Sequence, residues 1–148
     1  MDKVGRNIIK KISILCALLL VCASLAACSS APEAKGVYRV ESIDFLSPPT
    51  KNIIDFDSHK NNTYEIRLES GRATSSYIYF EDMGNNTYRA LPASAVTTWK
   101  RKGSTVTLAG TLGVGTVDLR LEEGWLLLTY TIDKEPIYFA RYKKVVDN

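Results

Sequence analysis

From residue 36 onward, apolar and polar residues alternate with a period of two, the pattern of strands that bury one face. In residues 64–68, Tyr64, Ile66 and Leu68 alternate with charged side chains, and residues 117–122 repeat the pattern. No run keeps a helical period for more than a turn or two, and 50–56 and 92–98 are the candidates for such turns. The alternation therefore restricts this part of the chain to an all-β fold.

The alternation, together with β-branched and aromatic residues, predicts eight strands. They occupy residues 37–46, 64–68, 75–80, 86–91, 104–111, 117–122, 125–132 and 137–142. Turn signals separate the runs, at 70–71, 84–86, 102–103, 113–115, 123–124 and 133–136. Short strands punctuated in this way are typical of hairpin-built folds. We expect an all-β domain of about eight strands, either a small antiparallel barrel or a sandwich.

The first 27 residues have a different composition. A basic stretch is followed by a nearly unbroken apolar run of 16 residues, 12–27, shorter than the roughly 20 that a spanning helix needs. A charged start, an apolar middle and a small-residue exit are the parts of an export signal, and its apolar part is expected to be helical. An uncleaved membrane anchor is the alternative interpretation.

The signal ends in Leu25-Ala26-Ala27-Cys28, which resembles the lipobox of bacterial lipoproteins. The resemblance implies cleavage between Ala27 and Cys28, a diacylglycerol on the Cys28 sulfur, and palmitate among the acyl chains that this residue carries. Two or three acyl chains anchor a protein stably. Residues 28–35 are then a lipidated tether, and 36–148 a single β domain. Because Ser29 rather than Asp follows the cysteine, the resemblance implies the outer membrane in a Gram-negative host, and otherwise the outer face of the cell membrane.

Charge and cysteine content exclude several classes of function. Residues 1–27 contain four basic residues and Asp2, so the other 121 residues carry 15 basic and 15 acidic side chains. With no surplus of positive charge, we expect no nucleic acid partner. Cys16 and Cys22 lie in the signal and Cys28 is the lipidation site, so we expect neither disulfides nor cysteine-based metal or redox chemistry.

The order of elements from Tyr64 to Tyr142 carries a second resemblance. A strand and a tryptophan precede Lys-Gly-Ser-Thr-Val-Thr-Leu; a Gly-rich hairpin, Glu-Gly-Trp-Leu-Leu-Leu and Ile-Tyr-Phe-Ala-Arg-Tyr follow. This order resembles the small lipocalin-like barrels of envelope lipoproteins, including those related to the copper-resistance and envelope-stress lipoprotein NlpE. The Cys-x-x-Cys of that family is absent here. The resemblance therefore implies a barrel, and whatever metal or redox role those cysteines support in the family is not carried over to this chain.

Catalytic chemistry finds little support in the sequence. His59 is the only histidine, so a Ser-His-Asp or Cys-His unit has a single candidate base. Asp55, Asp57 and His59 would share one side of an extended segment and are candidates for a metal, but no second cluster of ligands accompanies them. We expect a protein that is not an enzyme and has no cofactor.

Aromatic residues dominate the candidate binding residues. Two strands are apolar on both faces, so one face must be covered or must bind something. The candidate ligand or partner contacts are Tyr77, Tyr79, Trp99, Trp125 and Tyr130. The first hypothesis is a membrane-anchored lipoprotein whose barrel binds a small apolar ligand or an envelope component. The alternative is a protein-interaction module with a filled interior, an enzyme inhibitor or a surface antigen.

The basic run Lys100-Arg101-Lys102 also admits two interpretations. It is either a solvated turn or a contact with anionic lipid headgroups, which a short tether would place within reach. Gly110, Gly113 and Gly115 follow no strand-to-helix pattern, so a phosphate-binding loop is not expected.

Overall fold

The computed structural model describes residues 33–46 and 50–146, which belong to one unit, Pro32–Asn148. The predicted signal and the Ala27-Cys28 cleavage site lie outside the described residues. The elements are β1 (Gly36–Phe45), β2 (Asn52–Ile54), α1 (Phe56–His59), β3 (Glu65–Leu68), β4 (Ala73–Gly84), β5 (Thr87–Thr97), β6 (Trp99–Lys102), β7 (Thr105–Leu108), β8 (Thr116–Glu122), β9 (Trp125–Ile132) and β10 (Glu135–Lys144).

The ten strands form one sheet in the order β2-β5-β4-β3-β1-β10-β9-β8-β7-β6. All neighbours are antiparallel except β2 and β5, which are parallel. The all-β prediction is confirmed, but the ladder of hydrogen bonds does not close into a barrel, because β2 and β6 remain edges. Thr98 alone separates β5 from β6, so the chain itself bridges the two ends of the sheet.

All eight predicted strands are present, and two short strands were missed. β2 and β6 hold three and four residues, too few to give a clear alternation. Residues 92–98 were expected to allow a helical turn, which is wrong, because they continue β5 in its pairing with β4. The one helical turn in residues 33–46 and 50–146, α1, begins where the 50–56 candidate ends. Among the described residues, no helix is long and apolar enough to cross a membrane.

Tyrosines fill the interior. The six with almost no exposed surface are Tyr38, Tyr64, Tyr77, Tyr130, Tyr138 and Tyr142. The Tyr138 hydroxyl donates to the carbonyl of Ile78 at 2.7 Å, and the Tyr142 hydroxyl to that of Ser76 at 3.0 Å. β10 and β4 are not neighbours in the sheet, so these bonds cross the interior. The sheet therefore coils around a core that is both apolar and hydrogen-bonded.

The loop between β7 and β8 closes the coil against β4 and β9. The Val114 amide donates to the carbonyl of Phe80 at 3.1 Å, which links the loop directly to β4. A Cβ on Gly113 would overlap that same carbonyl oxygen, and a Cβ on Gly115 would overlap the Tyr130 ring. These glycines are required because the loop backbone lies directly on the core.

Candidate functional site

Two of the predicted contact residues, Tyr77 and Tyr130, belong to the core. Their rings are 6.3 Å apart, and the Tyr130 ring also packs on Phe80 and Tyr138 at 5.1 and 5.7 Å. The Leu112 amide donates to the Tyr77 hydroxyl at 2.9 Å, and the Tyr130 hydroxyl donates to the Leu112 carbonyl at 2.9 Å. Both hydroxyls are therefore engaged in holding the β7–β8 loop.

Burial raises the pKa of these phenols. It is the main cause of the upward pKa shifts of Tyr77 and Tyr130, and it raises the pKa of Tyr138 well above its ordinary value. An ionised phenolate would lose its hydration in this interior. Tyr77, Tyr130 and Tyr138 are thus neutral hydrogen-bonding core residues, without the lowered pKa of an activated nucleophile or base.

The other predicted contacts are half-buried at the surface. Tyr79 alternates with the buried Ile78 and Phe80 on β4. The Trp125 ring lies under the Arg141 guanidinium, 4.4 Å from its centroid, and under the Lys143 ammonium at 5.6 Å. The Trp99 indole donates to the carbonyl of Glu69 at 2.6 Å. Both tryptophans lie near the point where the described chain begins.

The candidate metal ligands are not brought together. Asp57 and His59 lie on the α1 turn, where Asp57 pairs with Lys60 at 2.7 Å. Asp55 precedes the turn with a positive φ of 65° and pairs with Arg89 at 3.6 Å. Among residues 33–46 and 50–146, no three His, Cys, Asp or Glu side chains are grouped to hold a metal ion.

The strand ladders divide the domain into two halves of opposite charge. The near half contains the first described residues and comprises 33–43, 65–75, 95–108, 119–128 and 140–146; the far half comprises the other described residues. The near half carries eleven basic and six acidic side chains, and the far half four basic and eight acidic. A domain with almost no net charge is therefore strongly polarised along its strands.

The far half also contains an exposed apolar surface at the end of β1. Phe45 and Leu46 are 45% and 48% exposed, high values for large apolar side chains. The Phe45 ring packs on the buried Phe56 ring at 4.5 Å. A groove of about 280 Å³ lies beside this pair, and it is lined by Phe45, Ile53, Asp55, Phe56, Asp57 and Ser58. Its floor is aromatic and its rim carries carboxylates.

Carboxylates outnumber cations around this groove. Asp55 and Asp57 have ion-pair partners. Lys51 is enclosed, with 7% of its side chain exposed, and lies 3.0 Å from Asp133, whose hydrogen bond is the main cause of the raised pKa of Lys51. Asp44 precedes Phe45 and has no ion pair to a described residue, so an unpaired carboxylate lies next to this apolar surface.

Comparison with known proteins assigns this chain to no family. No family model, no curated protein and no solved structure matches the chain. The fold and the surface define an all-β, barrel-like module with a filled interior and a polarised exterior. Sequence reasoning missed Phe45, Leu46 and Asp44 as surface residues. The adjacent apolar pair that breaks alternation at the end of the first strand was the available signal.

Proposed function

We propose that the protein is a membrane-anchored bacterial lipoprotein of the cell envelope that binds another protein and has no enzymatic activity. The anchor is carried by the signal sequence and the Leu25-Ala26-Ala27-Cys28 lipobox. In this proposal Cys28 bears the acyl chains, and the β domain stands on the outer membrane, or on the outer face of the cell membrane of a host with one membrane.

The filled interior favours an interaction module over a carrier of small apolar ligands. A carrier needs a cavity lined by apolar groups with a few free polar groups to orient its ligand. Here stacked rings occupy the interior, and the hydroxyls of Tyr77, Tyr130 and Tyr138 bond to the backbone. This observation carries the proposal, because it leaves the outer surface as the place where binding can occur.

The far half is the surface we assign to the partner. Exposed Phe45 and Leu46 supply an apolar centre, and Asp44, Asp55 and Asp57 surround it with negative charge. An apolar centre with a charged rim is typical of protein interfaces. Complementary charge speeds association and selects the partner. The partner class is therefore a cationic protein, such as a basic enzyme that attacks the envelope and that this module would inhibit.

A matched pair of surface variants tests the assignment. The far variant Asp44→Asn with Leu46→Ser, and the near variant Glu123→Gln with Val96→Ser, each remove one carboxylate and one exposed aliphatic side chain. Binding to a panel of cationic enzymes, with lysozyme first, is measured by calorimetry with the domain from Ser29. We expect the far variant to lose affinity tenfold or more, about 1.4 kcal/mol, and the near variant to bind like wild type. Equal affinities of the two variants would contradict the assignment.

Two further measurements test the anchor and the carrier hypothesis. Cys28→Ala should abolish incorporation of a labelled fatty acid. It should also abolish the decrease in size that accompanies cleavage of the signal. Native mass spectrometry of the domain purified from its own host should give the bare protein mass. A reproducible bound mass that is lost on denaturation would restore the small-ligand hypothesis.

A further inference from the structure

We propose that the near half of the domain seats directly on an anionic membrane surface, so that the far half faces away from the bilayer. The inference uses the proposed anchor for location only, since the attraction to the surface belongs to the folded domain. It goes beyond anchoring by acyl chains because it assigns an orientation and a second, electrostatic attachment.

Unpaired positive charge is the first observation. Seven near-half cations are exposed and make no ion pair with any described residue, namely Lys35, Arg72, Lys100, Lys102, Arg120, Arg141 and Lys143. In the far half, by contrast, three of the four cations are paired with carboxylates. Cations that form no ion pair within the domain are available to anionic headgroups, which attract each of them at the surface.

The placement of tryptophan is the second, independent observation. Both tryptophans of the chain, Trp99 and Trp125, lie in the near half. Each is half-buried, and the Trp125 ring is overlaid by Arg141 at 4.4 Å. Indole has an apolar body and a polar N–H, and it is enriched at the level of lipid headgroups. An indole ring with cations beside it can contact the apolar part of a bilayer surface while the cations contact its anionic headgroups.

The route of the chain is the third observation. The Lys144 ammonium donates to the carbonyl of Glu33 at 3.0 Å, and the Tyr38 hydroxyl donates to the carbonyl of Ala34 at 2.8 Å. These bonds fix the start of the described chain on the near half. Cys28 lies five residues earlier and can be at most about 17 Å of extended chain away. Acyl chains there would hold the near half at the bilayer.

Vesicle binding without the anchor tests the proposal. The domain from Ser29 keeps every described core residue, all of which lie between Ala34 and Tyr142, and circular dichroism checks its fold. Co-sedimentation is measured with vesicles of phosphatidylcholine mixed with phosphatidylglycerol, and with phosphatidylcholine alone. We expect binding to the anionic vesicles only, weakening as salt is added.

Matched charge variants locate the contact. The near variant Lys102→Gln with Lys143→Gln should lower partitioning roughly 25-fold, at about fivefold for each charge. The far variant Lys60→Gln with Lys134→Gln has the same net charge and should partition within about twofold of wild type. Brominated anionic lipids should quench the fluorescence of Trp99 and Trp125.

The outcomes separate this inference from the proposed function. Absence of binding to anionic vesicles, an equal loss in both variants, or binding without quenching would each overturn the seating. Binding to a polyanion such as heparin without binding to anionic vesicles would also overturn it, because the attraction would then be for negative charge and not for a membrane surface. Fatty-acid labelling at Cys28 and partner binding by the far half are measured separately and can fail while the seating stands.

Discussion

The near and far halves of the domain share one core but differ in surface charge. Tyr142 from the near half and Tyr138 from the far half both cross the interior to carbonyls of β4. Outside, eleven basic side chains and both tryptophans lie in the near half, whereas eight acidic side chains and the exposed Phe45-Leu46 pair lie in the far half. One scaffold thus presents two chemically opposite surfaces.

The difference shows how a domain with balanced charge can still carry two oppositely charged surfaces. The 15 basic and 15 acidic side chains beyond residue 27 cancel in a sum over the sequence. The fold separates them in space, because hairpins bring charged residues from different parts of the sequence together at one end of the strands. Potential then varies along the strands, and in our proposals each end attracts a different class of partner.

The largest expected effect is alkaline unfolding, which should affect both halves together. Burial raises the pKa of six tyrosines above the ordinary value of 10.0, and they are Tyr38, Tyr64, Tyr77, Tyr130, Tyr138 and Tyr142. The unfolded chain releases these protons at lower pH than the folded one, so the free energy of unfolding is unaffected below pH 10.0 and falls as pH rises above it. Tyrosinate absorbance and circular dichroism should change in one step. Gradual ionisation ahead of unfolding would mean that the halves do not share a closed core.

The next largest effect is a loss of stability that should begin in the far half. Gly115→Ala places a Cβ against the Tyr130 ring and should lower the free energy of unfolding by about 3 kcal/mol. Gly110→Ala, in the same loop, meets nothing within 4 Å and should change it by less than about 1 kcal/mol. Urea unfolding measures both, and hydrogen exchange should accelerate in β4 and β9 of the Gly115 variant. Similar free energies of unfolding for the two variants would show that the β7–β8 loop does not pack on the core.

Smaller and equal effects are expected from the two crossing hydroxyls. Tyr138→Phe and Tyr142→Phe each remove the hydroxyl that donates to a carbonyl of β4, which should cost about 1 kcal/mol. Tyr79→Phe, at a half-buried position, should cost less than about 0.5 kcal/mol. Urea denaturation at neutral pH compares the three. A large difference between the first two would show that the halves are held unequally.

The smallest effect concerns the charge of the far half. Lys51→Gln removes the cation beside Asp133 and makes the far half more negative. Because Asp133 is 73% exposed, loss of the pair should have little effect on the free energy of unfolding. Affinity for a cationic partner should rise at low salt, and that rise should vanish at high salt. Unchanged affinity at low salt would show that the partner does not bind near Lys51 and Asp133.

Local patterns predicted most of the strands and little of the site. The run from Trp125 to Ile132 is predicted and observed with the same bounds, because its alternation and flanking turns are local features. β2 was missed because a three-residue strand is defined only by its parallel pairing with β5. Tyr77 and Tyr130 were predicted as contacts for a ligand or partner. Sequence does not say whether a tyrosine hydroxyl faces a cavity or a backbone carbonyl.

The sequence alone determined the all-β class, the hairpin turns and the predicted export and lipidation signal, because each depends on residues close together in the chain. The tertiary structure decided that tyrosines fill the interior and that glycines 113 and 115 lie on the core. It also sorted a balanced set of charges into two opposite halves. Those features join residues from β1, β4, β9, β10 and the β7–β8 loop, and their meeting depends on how the sheet coils, which no local pattern encodes.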